Sequence, residues 1–169
     1  MILDTSKLFS LQGRVALVTG GSRNLGKTIA EAYIAQGASV YISSRKVADC
    51  DATANQLGPN CHSLPQDVAT VEGVRALAAA FAEREQRLDI LVNNAGAAWG
   101  APFEEFPETG WDKVMDLNLK SPFFLIQALH GHLKASAADG RPAKVINITS
   151  IDGQRLSGWD TYSYHASKS

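Results

Sequence analysis

Tyr164 and Lys168 stand four residues apart, so a helix over this segment would set a phenol and an ammonium on one face. That pairing suits proton transfer at oxygen. A free tyrosine titrates at about 10 and exchanges its proton poorly near neutrality, whereas a cation one turn away stabilises the phenolate and eases the exchange. The spacing alone is a weak signal, because most pairs of this kind are plain helix surface. Its weight comes from position. The segment follows an apolar run over 144–148 that leads into Thr149 and Ser150, hydroxyls able to hydrogen-bond an oxygen on which negative charge develops.

A second chemical signal lies near the start. Gly20, Gly21 and Gly26 bracket Ser22, Arg23, Asn24 and Leu25, between an apolar run over 14–19 and a helical pattern of Leu25, Ile29, Ala32, Tyr33 and Ala35 that stops at Gly37. A glycine turn that opens a helix presents free backbone N–H groups and the positive end of the helix dipole to an anion such as a pyrophosphate. Read alone, the glycines are no more than a tight strand-to-helix turn. The next strand is followed by Ser44 and Arg45, where a chain built for an unphosphorylated ribose carries an acid about 20 residues past the glycines. With no carboxylate to repel a 2′-phosphate, and with Arg23 and Arg45 able to pair with one, the expected cofactor is NADP(H). Two solvated surface arginines are the plain alternative.

These groups need elements that bring distant segments together. After a polar lead-in over 1–12, apolar runs and turn residues predict strands over 14–19, 39–43, 61–64, 89–92 and 144–148. Between them, helical spacing predicts helices over 25–37, 46–57, 71–84 and 109–134, the second stopped by Gly58 and Pro59 and the last bent or broken by Pro122. The segment 135–141 reads as a surface loop. Buried strands that alternate with helices imply an α/β fold: a doubly wound parallel sheet, a Rossmann-type sandwich with right-handed crossovers. All of 1–169 then forms one dinucleotide-binding domain.

Three motifs recur in one order at the strand ends. The glycine segment follows T-G-x-x-x-G-x-G, residues 93–96 read N-N-A-G, and 164–168 read Y-x-x-x-K. In this the chain resembles the short-chain dehydrogenase/reductase family over nearly its whole length. One position departs: Asn24 stands at the middle glycine, tolerable because asparagine enters left-handed backbone angles more readily than most residues. The resemblance implies cofactor contacts from Gly20, Ser22, Arg23, Asn24, Leu25, Gly26, Ser44 and Arg45, and from Asn94, Ala95 and Gly96. Asp67 and Val68 would meet the adenine, although Asp67 serves equally well as an N-cap for the helix that starts at 71. Tyr164 and Lys168 would touch the cofactor too. The implied catalytic set is Asn118, Ser150, Tyr164 and Lys168, with Thr149 left open as the alternative hydroxyl. Asn118 would hold a water that relays protons through Lys168, or else be an ordinary polar helix residue.

Within the family the chain is most similar to bacterial β-ketoacyl reductases that act on acyl thioesters, and also to sugar-acid 5-reductases. The resemblance therefore implies hydride transfer between NADP(H) and a small-molecule carbonyl or secondary alcohol, most simply a 3-oxoacyl group. Trp99, Trp111 and Trp159 are candidates for the substrate mouth, with core packing as the other reading. Family members continue past the position of Ser169 with further strands, a substrate lid and assembly helices. The chain is accordingly expected to be incomplete at its C-terminal end, with a frayed catalytic helix and an open sheet edge, and its full-length parent to be a homodimer or homotetramer. The rival reading is a nucleotide-binding or partner-binding module without turnover.

Composition narrows the field further. With 169 residues, 45% hydrophobic and 20% charged, the chain can bury one core, and a net charge of -1 offers no field to attract nucleic acid or an anionic membrane. Apolar runs are strand-length, which predicts neither a membrane span nor a secretory signal and leaves the cytoplasm as the expected compartment. Cys50 and Cys61 lack ligand spacing and read as reduced thiols, with no metal site.

Overall fold

The computed structural model describes residues 8–137, 140–155 and 157–169. The elements run β1 (Val15–Thr19), α1 (Asn24–Ala35), β2 (Ser39–Ser43), α2 (Val47–Leu57), β3 (Cys61–Ser63), α3 (Val71–Ala82) and β4 (Ile90–Asn93). They continue with α4 (Glu108–Met115), α5 (Ser121–Ala137), β5 (Lys144–Asn147) and α6 (Tyr162–Lys168). Every strand pairing is parallel, in the order β3-β2-β1-β4-β5. The chain winds outward from β1 in one direction and then resumes on its other side, so the order reverses between β1 and β4. In sheets of this kind ligands settle at that reversal, beyond the carboxyl ends of the strands.

Strand side chains alternate between faces, and the two faces bury separate clusters. Val15, Leu17, Tyr41 and Leu91 pack with Val74, Leu77 and Phe81 of α3 and Leu125, Leu129 and Leu133 of α5. Ala16, Val18, Val40, Ile42 and Val92 pack on the opposite side with Ala30 of α1 and Cys50 and Ala54 of α2. The thiols are free and buried, and burial pushes Cys61 up to about 11.

Several expectations need correction. The buried positions of α1 are Gly26 and Ala30, whereas Leu25 is 52% exposed. Two small residues let the helix approach the sheet closely, and this shifts its buried face by one position from the apolar pattern. The irregularity expected at Pro122 lies one turn earlier. A π-helical turn, Asp116–Lys120, joins α4 to α5, and the Ser121 amide reaches back to the Asp116 carbonyl. Proline has no amide to donate, and its ring clashes with the carbonyl four residues back in a regular turn; the wider turn relieves that clash. Helix α5 then continues to Ala137, so the loop expected over 135–141 is shorter at its start. Its residues 138–139 lie outside the described residues, as does most of the expected lead-in, over 1–7.

Candidate active site

The end of β1 turns sharply. Gly20 has φ +65°, and a Cβ there would lie 2.9 Å from Asn94 Nδ2. Asn24 has φ 47°, so the residue at the family's middle glycine adopts the left-handed conformation on which its tolerance depends. At Gly26 a Cβ would come within 2.3 Å of the Gly20 carbonyl oxygen. The turn is held by its neighbours: the Gly21 amide donates to the Ser43 carbonyl at 3.1 Å, and Thr53 Oγ1 donates to the Ser22 carbonyl at 2.9 Å. Arg23 occupies the N-cap of α1 without a side-chain hydrogen bond, and no acid lies in the first turn. The first amides of α1 thus open onto the cleft with no side-chain acceptor of their own.

Across the reversal, β4 ends in Asn93 and Asn94. Asn93 Nδ2 donates to Asn147 Oδ1 at 2.8 Å, joining β4 to β5. Asn94 Nδ2 donates to the Thr19 carbonyl at 2.9 Å, while the amides of Asn94 and Ala95 both donate to Thr19 Oγ1 at 3.1 Å. The side-chain amides therefore tie the strand ends together.

Between these two ends lies a cleft of about 330 Å³. Its wall includes Gly20, Ser22, Arg23, Asn24, Leu25 and Gly26 from the first turn and Ser44 and Arg45 from the end of β2. Asp67 and Val68 follow β3, and Asn94, Ala95 and Gly96 complete it from β4. Every cofactor position expected outside α6 lines this one space. Asp67 is not the N-cap of α3; Thr70 fills that role by accepting the Gly73 amide at 3.0 Å, and Asp67 Oδ1 accepts the Ala69 amide instead. The cleft wall also has Ser43, Lys46, Asp49, Gln66 and Leu117, which sequence reasoning did not single out. Lys46 directly follows Arg45, so the basic run could have been extended to it; Leu117, on the π turn, has no local signal.

The other expected residues converge around α6. Lys168 Nζ donates to the Ile148 carbonyl at 2.6 Å and lies 5.8 Å from the centre of the Tyr164 ring, so phenol and ammonium do share a side of the helix. Burial lowers the Lys168 pKa from its ordinary value. Asn118, buried in the π turn, accepts the Ala97 amide at 2.8 Å and donates to the Ala97 carbonyl and to Ser167 Oγ, each at 2.9 Å. It joins the loop after β4 to α6. Ser150 Oγ accepts the Asp152 amide at 3.2 Å and caps a 3-10 turn, Ile151–Gly153, that abuts the end of α6. A Cβ on Gly153 would lie 1.9 Å from the Lys168 carbonyl. Thr149 is exposed where Ser150 is half-buried.

The three tryptophans have different surroundings. Trp99 packs its ring against Gly110 of α4 under Lys113, whose Nζ lies 5.1 Å from the ring centre, and Trp159 is 76% exposed. Phe106 instead contacts both Tyr162, at 5.5 Å, and Trp111, at 6.5 Å. Among the described residues, no group of three His, Cys, Asp or Glu gathers as a metal ion would need, and no helix is long and apolar enough to cross a membrane.

Comparison with known proteins gives a consistent picture. Residues 14–169 match the family model described as short chain dehydrogenase. The rhamnolipids biosynthesis 3-oxoacyl-[acyl-carrier-protein] reductase of Pseudomonas aeruginosa is 48% identical over 162 residues, covering 95% of this chain and 63% of that protein. Among solved structures, the Pseudomonas aeruginosa RhlG/NADP active-site complex superposes with a TM-score of 0.91 at 48% identity, over 95% of this chain and 63% of that one. The 3-ketoacyl-(acyl-carrier-protein) reductase of Brucella melitensis complexed with NADH gives 0.86 at 28% identity, over 94% and 66%. The chain thus spans a little under two thirds of the length of these relatives.

Proposed function

The chain belongs to the short chain dehydrogenase family, and from that membership we propose that it serves a reductase that uses NADP(H) to interconvert a 3-oxoacyl group and its secondary alcohol. The observation that carries the reading is the cleft at the strand-order reversal, whose wall joins the uncapped start of α1 to the basic end of β2. That wall fits a phosphorylated dinucleotide. Free α1 amides suit a pyrophosphate, Arg23 and Arg45 suit a 2′-phosphate while Lys46 pairs with Asp49 at 3.8 Å, and the buried Ser43 hydroxyl has no partner among the described residues. Gly20 and Gly26 keep the turn free of side chains. The 48% identity to a 3-oxoacyl reductase supports the acyl substrate class.

When bound, the cofactor would supply the hydride that reaches the carbonyl carbon. The Tyr164 phenol then donates its proton to the carbonyl oxygen, and Ser150 Oγ donates a hydrogen bond to that oxygen and stabilises its growing charge. Lys168 favours the resulting phenolate by its charge. Its lowered pKa also suits a group that passes protons onward, and Asn118 holds the water that resupplies them. Residues 1–169 act as one dinucleotide-binding unit. In this reading the protein works in the cytoplasm and as a homodimer or homotetramer; the exposed apolar side chains of Leu119 and Phe123 fit such an assembly face, and sedimentation of the purified protein checks it.

Calorimetric titration of the chain with NADPH and NADH tests the cofactor, and a 3-oxoacyl thioester assay followed at the nicotinamide absorbance tests the reaction. NADPH should bind more tightly. Arg45→Ala should erase about ten- to a hundredfold of that preference, the value of one charge-assisted hydrogen bond. Tyr164→Phe should reduce turnover by about 10²- to 10⁴-fold while binding is kept. Equal affinity for the two nucleotides would overturn the phosphate assignment, and tight binding with no turnover would favour the nucleotide-binding module.

A further inference from the structure

Ser150 and Tyr164 lie at either end of the connection between β5 and α6, and a side chain outside the proposed catalytic set ties that connection down. His165, next to Tyr164, reaches back to Ser157. The Ser157 amide donates to His165 Nε2 at 3.2 Å, and Ser157 Oγ lies 3.0 Å from the same nitrogen. On the other side of the ring, Nδ1 lies 2.8 Å from the Thr161 carbonyl oxygen, which also accepts the His165 amide at 3.1 Å. A backbone amide can only donate and a carbonyl oxygen can only accept. Nδ1 must therefore carry the proton and Nε2 must be bare, so two independent contacts require the same neutral tautomer. The connection is pinned again one step on, where the Asp160 carbonyl accepts the Ala101 amide at 3.1 Å from the loop after β4.

We propose that His165 is a positioning residue: its neutral imidazole clamps the connection that carries Ser150 to Tyr164, and protonation opens the clamp. An imidazolium would put an N–H on Nε2 directly against the Ser157 amide. The Ser157 hydroxyl can rotate to accept from it, but the amide cannot, and it loses its acceptor. Charged groups on the surrounding elements do not offset this. Lys168 is engaged with the Ile148 carbonyl, Asp160 accepts the Tyr162 hydroxyl at 3.0 Å, Asp116 pairs with Lys120, and Lys113 lies over Trp99. Asp152 and Arg155 in the connection and Glu108 and Asp112 on α4 form no ion pair with the imidazole among the described residues. That this connection is catalytic rests on the hydride-transfer reading, whereas the tether itself does not.

Nitrogen-15 spectra of the whole chain test it without turnover. Long-range imidazole correlations should give the Nδ1–H tautomer in mild alkali. Protection of the Ser157 amide from exchange should then fall by about tenfold as His165 titrates, the value of one hydrogen bond of ordinary strength. His165→Gln, whose side-chain oxygen can accept the same amide, should keep that protection independent of pH, and His165→Ala should lose it throughout. In NADPH-dependent reduction of a 3-oxoacyl thioester, the fall in kcat/KM on the acid side should follow the His165 titration and disappear in His165→Gln. An Nε2–H tautomer in mild alkali, Ser157 protection indifferent to the titration, or an acid limb unchanged in His165→Gln would overturn the proposal. The spectra decide the tether whether or not the chain turns over.

Discussion

The Ser150 hydroxyl is able to serve two groups at once. Its oxygen accepts the Asp152 amide, which leaves its own proton free for a substrate oxygen. Ser150→Ala should therefore lower kcat/KM by about 10²- to 10³-fold, the usual effect of losing one donor at a developing oxyanion. Thr149→Ala, at an exposed position, should leave the rate within about threefold. Steady-state kinetics on the two variants settles which hydroxyl acts. At this scale the lining of the cleft was largely legible, because Gly20, Gly26, Arg45 and Asn94 each belong to a spacing with a physical purpose. Ser43 and Gln66 were not singled out, since their share of the wall depends on which way a strand end turns its last side chains. The reach of His165 to Ser157 could not be read either, because no periodicity links a helix residue to an irregular connection eight positions back.

Elements set how closely these residues can approach one another. The glycine turn works because α1 enters against bare backbone, and at Gly26 a Cβ would lie 2.6 Å from Asn94 Nδ2 as well as against the Gly20 carbonyl. Gly26→Ala should weaken NADPH binding at least about tenfold and destabilise the fold by ~1–3 kcal/mol through forced displacement of the turn. Gly131 in α5 is the control: nothing lies within 4 Å of a Cβ there, so Gly131→Ala should stabilise by ~0.5–1 kcal/mol. Thermal and denaturant melts with a binding isotherm separate the two outcomes. The strands and helices were legible from their periods to within a few residues. The π turn was not. Pro122 announced a break, but its placement one turn earlier follows from where the ring would clash and from Asn118 bonding to Ala97, a contact 21 residues distant.

Across the whole molecule, the cleft and a buried charged anchor occupy opposite ends of the sheet. Asp89 lies just before β4 and is 3% exposed. Burial works against its charge, yet the Val15 amide at 2.9 Å, the Ser136 hydroxyl at 2.7 Å and the Arg14 guanidinium together hold its carboxyl below the ordinary range. The sign follows from linkage. With the folded value below the unfolded value of about 3.9, the contribution is complete above that value and is lost as pH falls through the folded one. Asp89→Asn should lower stability at neutral pH by ~2 kcal/mol and flatten the acid slope, as read by urea melts across a pH series. The parallel topology was legible from the alternation of strand and helix, but this anchor was not, because Arg14, Asp89 and Ser136 are brought together only by the assembled sheet and the packing of α5 on it.

The same sheet keeps its two packed layers apart. Val15 and Leu17 turn to α3 and α5 while Ala16 and Val18 turn to α1 and α2, so substitutions of helix residues in the two clusters, which have no member in common, should be nearly additive. Drift can then repack either layer residue by residue while the other keeps its fit, so one scaffold can diversify on each flank separately.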